Sequence, residues 1–426
     1  MSNIVRLKDL CIGHGEYGIA AAGEPYSEDK YRYLRITDIS DYGELLDSEK
    51  KSISCDGCEN YFLEENDIVF ARTGNSTGRA FLYESRYGRL VYAGFLIKFH
   101  LDDKKVNPKY VKYYTISDIY KKWITYNPDG STRGNMNADD LAEIPVILPP
   151  REFQDKIVGL LEPIFLKVEN NNKMIEELER FANTIFQYWF LQYNFPDDDG
   201  KPYQSSGGEM VWNKKLNRKI PVGWKVKELK EFFTSGRGVS YTSAEIDNGG
   251  VPMINLASFS PDGSYNVDGL KTYSGNYTAD KILKPYDLIM CNTQQTAIDY
   301  EKDIIGKTLL VPDIFEGDII SSHHVTTLKV KNQDMKFWLH RLFNTHFFHE
   351  YAAHNTNGTN ILGLIFDGIE LCVMDIPDER VLKSFADFSL AIEREKSKIF
   401  LENKELTSMR DFYLPLLISE QLQCKQ

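Results

Sequence analysis

Leu141-Ala-Glu-Ile-Pro-Val-Ile-Leu-Pro149 and Ile369-Glu-Leu-Cys-Val-Met-Asp-Ile-Pro377 align without a gap, and in the same register Gly130-Ser131 falls opposite Gly358-Thr359. A segment written twice predicts a duplicated architecture, so this pair governs how the rest of the chain is read. Each copy leads into a long, charged, helix-favouring stretch, roughly 152–192 and 380–419. Upstream the likeness continues across loops of variable length. Tyr33-Leu-Arg-Ile36 matches Met253-Ile-Asn-Leu256, Asn66-Asp-Ile-Val-Phe70 matches Tyr286-Asp-Leu-Ile-Met290, and Phe95-Leu-Ile-Lys-Phe99 matches Val325-Thr-Thr-Leu-Lys-Val330. Short apolar, β-branched and aromatic runs between Gly, Asn and Asp clusters read as strands. The expected fold class is α+β with a pseudo-twofold internal repeat: β-rich domain, long helix, β-rich domain, long helix.

The first long stretch carries a seam. Ile157, Leu161, Ile164, Val168, Asn171, Ile175, Leu178, Ala182, Ile185 and Trp189 recur in alternating steps of four and three, the 3.5-residue period of a coiled coil. The second stretch follows it less regularly through Phe385, Ile392, Ile399, Asn403, Leu406, Tyr413 and Leu417. Asn171 and Asn403 sit in the seam, where a polar residue lowers stability but fixes register and partner. Pro163 either kinks the first helix or opens its main segment. The two helices, each on the order of 60 Å long, are expected to pair as an antiparallel coiled coil; the alternative is that each packs on its own domain. Asn194-Phe-Pro-Asp-Asp-Asp-Gly-Lys-Pro-Tyr-Gln-Ser-Ser-Gly-Gly208 is dense in turn formers and reads as a linker or exposed loop. The expected boundaries are a first domain 1–149, a helix 150–193, a linker 194–221, a second domain 222–378 and a C-terminal helix 379–426.

At 426 residues, 42% hydrophobic and 26% charged, the chain has the composition of an ordinary globular protein of two or three domains. It contains no apolar run of membrane-spanning length, and its start, Met1-Ser-Asn-Ile-Val-Arg6, lacks the apolar core of a signal peptide. A cytoplasmic location is expected, and the six cysteines are expected to be free in that reducing compartment. Cys55-Asp-Gly-Cys58 is half a zinc site without a second close pair, so no metal is expected. The net charge of −12 argues against a simple electrostatic DNA binder, though a basic stripe can sit on an acidic body.

Catalytic tools are missing. Asn127-Pro-Asp-Gly130 reads as a turn, not the Asn-Pro-Pro-aromatic loop of an adenine methyltransferase. Gly306-Lys-Thr308 imitates the end of a phosphate loop, but Glu301 stands where the first glycine belongs. Asp197 and Asp199 are too close together in a loop to act as a nuclease pair. His349 and His354 are five apart, whereas a metalloprotease helix needs four. No catalytic residues are assigned. Besides sequence-specific recognition, two other readings fit a non-catalytic chain: an autonomous DNA-binding regulator, which lacks a clear basic reading helix, and a coiled-coil scaffold that binds only protein.

Ile144-Pro-Val-Ile-Leu-Pro-Pro150 followed by Glu152-Phe-Gln154 resembles the start of the conserved helix in specificity subunits of type I restriction–modification systems. Asn171-Asn-Lys-Met-Ile-Glu-Glu-Leu178 and Phe186-Gln-Tyr-Trp-Phe190 are similar to that family's central conserved region. Gly200-Lys-Pro-Tyr203, Ser205-Ser-Gly-Gly208, Met210-Val-Trp212 and Ile220-Pro-Val-Gly-Trp224 resemble its passage into a second target-recognition domain. The second helix departs from the pattern, carrying Pro377-Asp-Glu379 without a double proline. The resemblance implies that each β-rich domain reads half of a split double-stranded DNA target and that the helices set the gap. It implies two modification subunits that use S-adenosylmethionine to methylate adenine N6, and a restriction subunit that uses ATP and magnesium; no cofactor belongs to this chain.

Base edges are read by Arg, Asn, Gln and hydroxyl side chains. In the first domain Arg72, Thr73, Asn75, Ser76, Thr77 and Arg79 form one candidate loop; its counterpart in the second is Asn292, Thr293, Gln294, Gln295 and Thr296. A second pair of loops holds Ser131, Thr132 and Arg133, matched by Thr359 and Asn360. Arg35 and Asn255 match in position and complete the set.

Overall fold

The computed structural model describes residues 3–47, 49–126, 134–295 and 303–419. The chain divides into two compact units, Met1–Glu169 with Glu405–Gln426, and Asn170–Lys404. Two long helices contribute to both: α1, Arg151–Phe186, continued by a wider π-type turn at Gln187–Leu191, and α2, Glu379–Ile418.

The first unit is built on a four-stranded antiparallel sheet of β1 (Cys11–Tyr17), β2 (Asp67–Ala71), β3 (Ala80–Leu82) and β4 (Leu96–Leu101), in the order β1-β4-β2-β3. Every residue of Asp67-Ile-Val-Phe-Ala71 is buried, which is why this apolar run takes a central position and leaves the polar, glycine-containing β1 at the edge. Short helices Pro108–Tyr114 and Asp118–Thr125 cover the sheet; Asn107 caps the first of them, accepting from Lys109 N at 3.0 Å, with Pro108 in its first turn. A smaller sheet pairs Tyr31–Leu34 antiparallel with Lys51–Ile53 and parallel with Leu90–Tyr92. Asn3–Arg6 runs antiparallel to Pro145–Leu148, the strand that delivers the chain to α1.

The second unit holds β5 (Phe233–Arg237), β6 (Leu288–Cys291), β7 (Thr308–Leu310) and β8 (Val325–Val330) in the order β5-β8-β6-β7. The edge-to-edge order of the two main sheets is the same when strands are taken in sequence. Ile246–Ile254 pairs antiparallel with Lys271–Tyr273 and parallel with Ile320–Ser321, and Lys225–Glu228 pairs with Val373–Ile376 ahead of α2. Helices Met335–Phe343 and His346–His354 lie on an aromatic core that includes Phe233, Trp338, Phe343 and Phe348.

The seam positions of α1 are all buried or half-buried. In the first unit Ile157, Leu161 and Phe165 share a core with Leu414 and Ile418 of α2. In the second, Asn171 donates from Nδ2 to Asn403 Oδ1 and Glu402 Oε2 at 2.8 Å each, and Phe186 and Phe190 pack on Phe385. Tyr413 is a correction: it is 39% exposed, whereas Arg410, Leu414 and Ile418 are buried. Beyond Leu406 the buried face advances in steps of four, with the Arg410 guanidinium 3.5 Å from the centre of the Tyr42 ring. Pro163 neither opens nor breaks α1, which begins at Arg151 and runs through it. Asp378 settles where α2 starts, its carboxylate accepting from Val381 N at 2.9 Å.

Two further expectations change. Cys55 and Cys58 are bridged, with Cα atoms 5.4 Å apart across a turn in which Gly57 takes φ 78°; Cys11, Cys291 and Cys372 are free and buried. The turn-rich 194–208 segment is partly core: Phe195 is buried and stacks between Tyr203 and Trp224, at centroid distances of 4.7 and 5.3 Å. Its polar composition hid these aromatic anchors. No helix among the described residues is long and apolar enough to cross a membrane.

Candidate nucleic-acid interface

Several candidate side chains are already engaged inside the protein. Arg35 grips Asp38 through Nε at 3.1 Å and Nη2 at 2.6 Å and also donates to the Glu49 carbonyl, which ties a short turn to the sheet. Asn255 stands at the matching turn, 5% exposed, accepting from Ala257 N and donating to the Gly269 carbonyl at 2.6 Å. The match between these residues therefore lies in turn capping, and Asn255 is corrected from a base-reading candidate to a buried structural one. Arg79 pairs with Asp41 at 2.6 Å. Ser76 is buried, and Thr77 donates to the Gly74 carbonyl. Gln294, 7% exposed, accepts from Ile304 N and Ile305 N. It holds a loop, and its amide oxygen has no room for a base.

The remaining candidates converge. In the first unit the chain leaving β2 turns beside the chain that follows residue 133: Thr73 bridges Asn135, Met136 N donates to the Arg72 carbonyl at 2.9 Å, and Arg72 N donates to the Phe95 carbonyl at 3.0 Å. Asn75 is exposed beside them. The second unit repeats this corner after β6. Thr293–Gln295 pairs antiparallel with Ile361–Leu364, which turns back onto Thr356–Asn357, while Leu364 N donates to the Asn292 carbonyl and Asn292 N to the His324 carbonyl. Thr359 and Asn360 are exposed at the tip of that hairpin, where Gly358 takes φ 112° and a side chain would collide with the Ile361 carbonyl. Asn292 orients its own amide, donating to Thr326 Oγ1 at 2.7 Å while Thr293 Oγ1 donates to its oxygen. Each unit thus gathers two polar loops, far apart in sequence, into one corner. Ser131, Thr132, Arg133 and Thr296 lie outside the described residues.

The same hydrogen-bond correspondence identifies residues that sequence reasoning missed. Tyr17, 44% exposed, ends β1, and its ring lies 5.3 Å from the Arg72 guanidinium; Phe95 beside it is 59% exposed. In the second unit Arg237 ends β5, the His323 and His324 rings lie 3.8 Å apart with planes tilted by 41°, and the Tyr241 ring lies 5.2 Å from that of His323. Burial, with the Arg237 charge nearby, pushes His323 below its ordinary pKa; burial and then the His323 charge do the same to His324. The lowering favours the neutral imidazoles, and Nδ1 of each is buried. The available signal was a glycine after each edge strand, Gly18 and Gly238. A Cβ at Gly18 would overlap the Tyr92 and Ala93 carbonyls, and one at Gly238 the Ser321 and Ser322 carbonyls. Gly238→Ala is accordingly expected to destabilise the protein by about 1–3 kcal/mol or more, measured by urea unfolding; an unchanged midpoint would show that the corner yields freely.

Two of the motifs that imitate catalytic sites have ordinary structural roles, while Asn127–Gly130 and Glu301 lie outside the described residues. Lys307 is buried, and Thr308 donates from its backbone to Asn344 Oδ1 at 2.9 Å. His349 is buried with Nδ1 3.0 Å from the Ile305 carbonyl oxygen. Among the described residues no cluster of His, Cys, Asp or Glu could hold a metal ion.

Comparison with known proteins agrees with this architecture. Residues 2–180 match the family described as the type I restriction modification DNA specificity domain. The chain is 23% identical over 303 residues to the type I restriction enzyme MjaIX specificity subunit of Methanocaldococcus jannaschii, covering 70% of this chain and 65% of that one. It is 19% identical to the HindI specificity subunit of Haemophilus influenzae, covering 92% of each. Its fold is similar to that of the type I restriction–modification system S subunit from M. genitalium, with a TM-score of 0.55 at 14% identity over 98% of this chain and 96% of that one. The likeness to the type I restriction modification DNA specificity domain is thus carried by residues 2–180.

Proposed function

We propose that the chain is the sequence-reading subunit of a type I restriction–modification enzyme. The carrying observation is the corner that occurs in each unit, where loops from distant parts of the chain meet and offer side chains able to reach base edges. In this reading residues 1–149 and 222–378 are related target-recognition domains, each reading one half of a split double-stranded target. The helices at 150–193 and 379–426 form an antiparallel coiled-coil spacer, joined through 194–221. The Asn171–Asn403 hydrogen bond and the Phe186–Phe385 contact support opposed helix directions, and the shared strand order of the two main sheets supports the repeat. The chain supplies no catalytic group; it positions two modification subunits for adenine N6 methylation and a restriction subunit for cleavage.

The test is the sequence context of methylated adenines in DNA from cells making the chain together with its modification subunit. A split motif with a constant gap is expected, and it should vanish when this chain is omitted. Methylation that shares no motif, or that persists without the chain, would overturn the reading.

A further inference from the structure

Most described arginines are neutralised by a carboxylate: Arg6, Arg32, Arg35, Arg79, Arg86, Arg151, Arg180, Arg218, Arg341, Arg380 and Arg410 all have one within ion-pair distance. Arg72, Arg89, Arg237 and Arg394 have no such ion pair among the described residues, and of these Arg72 and Arg237 stand in the two corners. Each is tethered in the same manner. Arg72 Nε donates to the Met136 carbonyl at 3.3 Å, and Arg237 Nε donates to the His323 carbonyl at 3.2 Å. The tether fixes one edge of the guanidinium and leaves its terminal amines with no protein acceptor among the described residues. A guanidinium already oriented, with both terminal amines open, is suited to guanine, whose O6 and N7 form an adjacent acceptor pair on the major-groove edge.

The two arginines do not occupy equivalent positions. Tyr17 pairs with Ile97 in the second position of β4, and Arg237 pairs with Thr326 in the second position of β8, so Arg237 corresponds to Tyr17. Arg72 and Asn292 correspond in turn, each donating from its backbone to the residue just before those strands, Phe95 or His324. In the first corner the cation leaves the central strand and rests over the Tyr17 ring; in the second it ends the edge strand, and Asn292 is held by internal hydrogen bonds. The corner keeps one unpaired arginine but moves it two strands across the sheet, from the central strand to the edge.

We propose that Arg72 and Arg237 each read one guanine, one in each half of the target, and that the strand shift places the two guanines at different positions within their half-sites. This rests on the sequence-reading function proposed above.

The test uses the full chain with its modification subunits, challenged with a pool of duplexes randomised around the wild-type motif. Arg72→Lys and Arg237→Lys keep the charge but remove the two-pronged donor. Each is expected to relax discrimination at one guanine by roughly 10- to 100-fold, in opposite halves of the motif, leaving all other positions unchanged. If both variants keep every preference and lose affinity uniformly, the arginines contact phosphate and the proposal fails. Loss of guanine at the same half in both variants would equally overturn it. Failure of the underlying function looks different, because the wild-type protein would then select no motif. Thermal unfolding of each variant verifies that the fold is intact.

Discussion

Arg341→Met is expected to lower stability by about 3–5 kcal/mol, because it strips one cation from a buried network and leaves its carboxylates under-compensated. Arg341, on the helix Met335–Phe343, has a side chain only 3% exposed. It pairs with Glu179 of α1 and, at 3.2 Å, with Glu393 of α2, and it donates to Asn183 Oδ1 at 3.1 Å. Lys396 of α2 joins both carboxylates, reaching Glu393 at 2.9 Å. Two cations and two anions balance, and methionine leaves a buried net negative charge. Replacing Arg341, Glu179, Glu393 and Lys396 together with apolar residues is expected to lose far less, since no charge is then stranded. Urea unfolding at pH 7 measures both; a loss below about 1 kcal/mol for Arg341→Met would mean that water reaches the network.

The network also predicts a pH signature. Burial by itself would raise the Glu179 carboxyl, but the charges of Arg341 and Lys396 overcome it and hold the group well below its ordinary value. A depressed folded-state pKa stabilises the fold above the unfolded-state value of about 4.3 and ceases to do so as pH falls through the folded value. Wild-type stability should therefore fall in acid below about pH 4. The gap between wild type and Arg341→Met should narrow over that range, because protonated Glu179 no longer needs the arginine.

Exchanging residues 1–149 for the equivalent domain of a relative should replace one half of the methylated motif and leave the other half and the gap unchanged. The first unit makes this a demanding exchange, since its core includes Ile157, Leu161 and Phe165 of α1 together with Leu414 and Ile418 of α2; donor and recipient must match at those positions. The effect is large. Each mismatched base pair in a recognised site costs about 1–3 kcal/mol, roughly additively. A former half-site wrong at three positions would thus be rejected by about two to six orders of magnitude. Change in both halves, or in neither, would defeat the modular reading.

The pattern of residues was enough to place the central apolar strands and the long helices. Apolar runs such as Asp67–Ala71 and Leu288–Cys291 were legible because a buried strand needs a continuous β-branched or aromatic surface. The α1 seam was legible because its period is a property of the helix itself. Where the period weakened, at Tyr413, the reading failed, and Phe195 and Trp224 were hidden inside a stretch whose composition announced only turns. The loops of the candidate interface were also visible as polar, glycine-flexed segments at matching places.

Only the tertiary structure decided which of their side chains remain available. Arg79 meets Asp41, Gln294 meets Ile304 and Ile305, and Asn255 meets Gly269 across separations that no local pattern records. Arg237 and the His323–His324 pair meet in the candidate corner because β5 and β8 are neighbours in the sheet, although they are far apart in the chain. Periodicity reports the face a residue turns toward the core, whereas the freedom of a polar group depends on the partner that long-range folding brings to it.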